Sequence, residues 1–143
     1  MDFLGKPARR TSRGLKIAVL IIILVIAAVA VFAAWTYPRT ALNFPVSFTI
    51  GAQTENKEFS VPTLDSWVQV QVIVNSGTAL WRARILNSSS DEIWTHSAAQ
   101  GGQTTYNSGW MQLASGSYNF TFATIGIGSL NAEVTVSSKG GFW

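Results

Sequence analysis

Trp67-Val68-Gln69-Val70-Gln71-Val72-Ile73-Val74 decides how most of this chain folds. Valine stands at every second position, and its neighbours are Trp, Gln, Gln and Ile. An extended segment of this kind therefore carries one apolar face and one mostly polar face. β-Branched side chains at that period suit a half-buried strand. The valine face is covered only if a second layer packs against it.

The same period recurs on both sides. Phe44, Val46, Phe48 and Ile50 alternate with Pro45, Ser47 and Thr49. Trp81, Ala83 and Ile85 alternate with Arg82 and Arg84, and Tyr118, Phe120 and Phe122 with Asn119 and Thr121. Leu130, Ala132, Val134 and Val136 alternate with Asn131, Glu133 and Thr135. Shorter candidates at Glu58 to Val61, Glu92 to His96 and Trp110 to Leu113 bring the expectation to about eight strands. Turn residues separate them: Asn75-Ser76-Gly77, Asn87 to Asp91, Gln100-Gly101-Gly102, Asn107-Ser108-Gly109, Ser115-Gly116 and Gly126-Ile127-Gly128. No amphipathic helix of useful length follows residue 36. Short strands with one apolar face each are best buried by two antiparallel sheets face to face, so residues 44–143 read as an antiparallel β-sandwich, jelly-roll or immunoglobulin-like. The chain has no cysteine, so this domain is held by its core and not by disulfides.

The period changes upstream. Ile17 to Ala34 is an unbroken apolar run of 18 residues, about 27 Å as a helix, against roughly 30 Å for the hydrocarbon core of a bilayer. A transmembrane helix over 17–35 follows, with Trp35 and Tyr37 suited to the headgroup level behind it and Lys16 in front. Pro38 stops the helix, and 36–43 reads as a short tether. Lys6, Arg9, Arg10, Arg13 and Lys16 make residues 1–16 a basic head, which is retained in the cytoplasm and sends the C-terminal domain outside. The protein is thus expected in the plasma membrane, single-pass. Two other readings of this end stay open. A cleaved signal peptide would use Ala28-Val29-Ala30 or Val31-Phe32-Ala33, although the apolar run is long for one. Arg13-Gly14-Leu15 resembles an archaeal prepilin processing site, although Lys16 would carry a charge into a filament core.

Charge excludes one class of partner. Beyond residue 36, Arg39, Lys57, Arg82, Arg84 and Lys139 face Glu55, Glu58, Asp65, Asp91, Glu92 and Glu133, five against six, which leaves −1. The formal +3 of the whole chain belongs to the head, and no nucleic-acid surface is implied. Chemistry is sparse. His96 is the single histidine, no Gly-x-Ser-x-Gly elbow or phosphate loop occurs, and Asp91-Glu92 would point to opposite faces of a strand. No catalytic, metal or cofactor site is expected.

Aromatic side chains are the better candidates for contact. Trp67 has polar neighbours in register, Gln69 and Gln71, and could present a stacking surface to a partner or a sugar ring. Gly140-Gly141 gives freedom to Phe142 and Trp143, whose large apolar area suggests a partner contact or docking on the headgroup layer. Asn87-Ser88-Ser89 and Asn119-Phe120-Thr121 are acceptor sequons, which makes the protein a candidate glycoprotein at Asn87 and Asn119.

Trp81 to Asn87, Asp91-Glu92-Ile93-Trp94, Ser115-Gly116-Ser117-Tyr118-Asn119-Phe120 and Leu130 to Val136 together resemble the small secreted β-sandwiches of the pre-peptidase C-terminal and GOLD types, as in an archaeal or bacterial surface protein. That resemblance implies a binding or accessory domain without catalytic residues. The function expected is a non-enzymatic anchored module, either an accessory subunit of a membrane complex or a cell-envelope binding protein. A pilin-like filament subunit and a carbohydrate-binding module are the alternatives. Partners would be the lipid bilayer and other membrane or envelope proteins, with a homo-oligomer as a further option.

Overall fold

The computed structural model describes residues 12–49, 52–98, 105–125 and 128–141. The chain divides into two units, Met1–Ala34 and Trp35–Trp143.

Among the described residues, the first unit is a helix. α1 runs from Arg13 to Thr36, its last two residues belonging to the second unit. Ser12 starts it: the Leu15 amide donates to Ser12 Oγ at 3.2 Å, and the Lys16 amide to the Ser12 carbonyl, also at 3.2 Å, which satisfies donors that lack an intrahelical partner. None of its side chains is buried. Ile26 is 63% exposed and Val31 69%, so leucines, isoleucines and valines face outward all round. Such a helix is long and apolar enough to cross a membrane.

The second unit is an all-β sandwich with nine strands among the described residues: β1 (Arg39–Phe48), β2 (Thr54–Val61), β3 (Trp67–Gly77), β4 (Leu80–Leu86), β5 (Glu92–Ser97), β6 (Thr105–Asn107), β7 (Met111–Gln112), β8 (Gly116–Ile125) and β9 (Leu130–Lys139). One sheet has the order β1-β9-β3-β6, with β7 also on β3; the other has the order β2-β8-β4-β5. All pairs are antiparallel. The chain changes sheet at every connection except β4 to β5 and β6 to β7.

Register follows the sequence period. Val68, Val70 and Val72 are fully buried, while Trp67, Gln69 and Gln71 are half-buried on the other face. Across the gap stand Phe120, Phe122, Ala83 and Ile85, all fully buried, and Phe44, Val46 and Phe48 close the edge beside β9. Phe122 stacks on Trp81 at 5.3 Å between ring centroids, and Phe44 meets Phe120 edge-on at 6.0 Å. At the β3–β4 turn Gly77 has φ +111°, and a Cβ there would collide with the Ser129 carbonyl, so only glycine fits.

Three elements differ from the sequence reading. β1 begins at Arg39, so 39–43 is strand where a tether was expected; Asn43 Nδ2 donates to Thr135 Oγ1 at 2.8 Å and Glu133 Oε1 at 3.1 Å, and these polar pairs hold a segment without an apolar period. β2 extends back to Thr54 because Thr54 to Lys57 pair with β8 even though they are polar. β6 was not expected, since three residues give too short a window for any period. Ile50 and the turn at Gln100 to Gly102 lie outside the described residues.

Candidate functional site

The point where the chain joins the sandwich, the β2–β3 turn and the end of β9 meet at one end of the domain. Trp35 is held from two sides: its indole Nε1 donates to the Leu64 carbonyl, and its own carbonyl accepts from the Gly140 amide at 2.8 Å. A Cβ on Gly140 would collide with the Trp35 ring, so glycine permits this close approach. The Gly141 carbonyl accepts from Trp67 Nε1 at 3.1 Å and from Ser66 Oγ at 3.4 Å. Gly140 and Gly141 are therefore buried and pinned, which corrects the expectation of free glycines, and the polar edge of Trp67 is occupied by the chain's own backbone. Phe142 and Trp143 lie outside the described residues.

Asp65 locks this end. Its side chain is fully buried; Arg39 Nη2 approaches Oδ1 at 2.5 Å, Ser138 Oγ donates to Oδ2 at 2.8 Å, and the Asp65 amide donates to the Pro62 carbonyl at 2.9 Å. A buried carboxylate is tolerated only with such partners. Nothing local in the chain marks this role, because an aspartate between a turn and a strand is more often solvated.

The two sequons meet on the other sheet. Asn119 stands opposite Leu86 on β4 and Glu58 on β2, one residue short of Asn87 along the chain from Leu86. Asn87 Oδ1 accepts from the Ser89 and Asp91 amides, each at 2.9 Å, and so closes the β4–β5 turn. Glu58, Ser60, Ser88, Ser117 and Asn119 line an open groove of about 510 Å³ there. Lys16 lies in the first turn of α1, exposed, and Tyr37 is 71% exposed.

His96 sits in the seam between the edge strands β5 and β6. Its ring stacks on Tyr106 at 3.7 Å and faces Trp81 at 5.6 Å, while Trp94 stacks on Tyr106 at 6.4 Å. Nε2 is buried without a hydrogen-bond partner. Burial lowers the His96 pKa from its ordinary 6.5 and raises that of Tyr106, the titratable group stacked on it. Because burial disfavours the imidazolium in the folded form, the unfolded chain takes up the proton first. The stability from this site is present above about pH 6.5 and is lost as the pH falls through that value toward the lower folded pKa. The urea midpoint should therefore drop between pH 7.5 and pH 5, and His96→Phe should reduce the drop; equal slopes for both proteins would contradict a neutral imidazole in the seam.

Among the described residues no three His, Cys, Asp or Glu side chains come together as a metal-binding group.

Comparison with known proteins agrees on the fold. The pre-peptidase C-terminal domain of a collagenase from Bacillus anthracis matches with a TM-score of 0.54 and 14% identity, over 67% of this chain and 88% of that one. The sandwich is similar to a pre-peptidase C-terminal domain in fold. Of the two types that the β4, β5, β8 and β9 segments resemble, the pre-peptidase C-terminal one is matched in fold. A second likeness, to the VP2 subviral particle of infectious bursal disease virus, has a TM-score of 0.40 and 9% identity over 74% of this chain and 33% of that one. No family model and no curated protein sequence matches the chain.

Proposed function

We propose that this protein is a non-enzymatic, membrane-anchored extracytoplasmic module, working as an accessory subunit of a membrane complex or as a cell-envelope binding protein. The observation that carries the reading is α1, a 24-residue helix with outward apolar side chains and none buried, followed directly by a disulfide-free sandwich. At about 1.5 Å per residue it is long enough for a bilayer. Lys and Arg before the apolar run favour the sandwich on the outer side. A fold shared with a domain appended to a collagenase supports a module of the binding or accessory kind. The partner is another membrane or envelope protein, and glycosylation at Asn87 and Asn119, both half-buried, is part of the same reading.

Gentle solubilisation of membranes followed by copurification with the full-length chain tests it. The expected outcome is a constant set of membrane or envelope proteins with the intact mass of the chain retained. Recovery in the soluble fraction with a shortened N-terminus would identify a cleaved signal, and loss of mass through Gly14 with end-to-end assembly would identify a filament subunit; either would overturn the proposal.

A further inference from the structure

We propose that the sandwich itself binds the lipid surface through its β2–β3 turn, with Leu64 seated at the outer headgroup layer beside Trp35 and Tyr37. This rests on the anchored reading above. Trp35 directly follows Ala34, the last residue of the apolar run, so the backbone at Trp35 lies where the chain leaves the hydrocarbon. Leu64 is tied to that level, because its carbonyl accepts the Trp35 indole N–H.

The turn is built to display its side chain. The Asp65 amide donates to the Pro62 carbonyl at 2.9 Å, and the Asp65 carboxylate is held by Arg39 and Ser138, so the backbone on either side of Leu64 is fixed from within. Leu64 is nevertheless 72% exposed and Tyr37 71%, whereas the other exposed large apolar side chains among the described residues of the sandwich, Ile73, Ile93 and Ile125, are 37–40% exposed. An apolar side chain standing out of a braced turn whose backbone bonds Trp35, the residue at which the chain leaves the hydrocarbon, fits the headgroup boundary, where amphipathic rings and short apolar insertions are favoured. Lys139 lies at the same end, opposite Trp67, its ammonium 4.7 Å from the Trp110 ring centroid, which adds a cation near that end of the domain. The occupant is thus the bilayer that α1 crosses.

The absence of cysteine allows single-site labels on the full-length chain. Leu64→Cys, Ser76→Cys and Val25→Cys would each carry an environment-sensitive fluorophore in phosphatidylcholine–phosphatidylglycerol vesicles with nitroxide lipids. Ser76 lies nine residues along β3 from Trp67, about 30 Å away. The expected result is blue-shifted emission at Leu64→Cys, quenched by nitroxides near the headgroup, solvent-like emission at Ser76→Cys, and quenching of Val25→Cys by nitroxides deep in the acyl chains. If Val25→Cys is quenched while Leu64→Cys matches Ser76→Cys, the anchor stands and lipid docking is refuted. Equal shallow quenching at Leu64→Cys and Ser76→Cys also refutes it, since the turn would not be singled out. An unquenched Val25→Cys would overturn the anchored reading itself, and the docking with it.

Discussion

Phe120→Ala should lower the stability of the sandwich by about 3–5 kcal/mol, a large part of what a domain of this size has, while Asn119→Ala should cost little in unglycosylated protein. Phe120 is fully buried on β8, which lies between β2 and β4 in its sheet, and its ring meets Phe44 edge-on across the core at 6.0 Å. Removal of the ring leaves a void walled by strands of both sheets, and two hydrogen-bonded ladders keep β8 from moving in to fill it. Asn119 points to the opposite face, beside the open groove. The urea midpoints of the two variants provide the check. Because side chains alternate along a strand, equal losses would mean that β8 is displaced by one residue.

How much of this arrangement the sequence disclosed depended on side-chain period. Wherever apolar residues alternate with polar ones over five positions or more, as in Val68 to Val74, Tyr118 to Phe122 and Leu130 to Val136, inward and outward faces were legible. Where pairing is polar, as in Arg39 to Asn43 and Thr54 to Lys57, the strand is specified by partners distant in sequence, Thr135 and Glu133 in one case and β8 in the other, and no local period announces them. The same holds for the candidate surfaces. Trp35 and Tyr37 follow from their place behind an apolar run, but Leu64 and Asp65 acquire their roles only when residues 26 to 73 positions apart are brought together. The His96 seam was not legible from period, since its stacking on Tyr106 depends on how the two sheet edges meet, and its buried Nε2 has no hydrogen-bond partner.

A protein beginning at Phe44 should be less stable than one beginning at Trp35 by about 2 kcal/mol or more, although both contain every segment with a clear strand period. The shorter form lacks Arg39 and leaves the buried Asp65 carboxylate with Ser138 but without its cation. Losing one partner of a fully buried pair costs about 3–5 kcal/mol; Arg39 is half exposed, so water already screens part of that interaction and the share here is smaller, roughly 1–2 kcal/mol. Five β1 residues, Arg39 to Asn43, go with it, including the Asn43 bonds to β9 and the partly buried Ala41 and Leu42 that pack on the core. So does Trp35, whose carbonyl receives the Gly140 amide and whose indole caps the β2–β3 turn. Arg39→Ala in the longer form isolates the ionic part and should account for about half of the difference. Thermal unfolding of the three proteins in detergent-free buffer separates the contributions. If the Phe44 form melts with the Trp35 form, the residues from Trp35 to Asn43 would be a passive tether after all. If it melts well below, the boundary of the folded domain lies at the end of the helix, and Trp35, which directly follows the apolar run, also closes the sandwich.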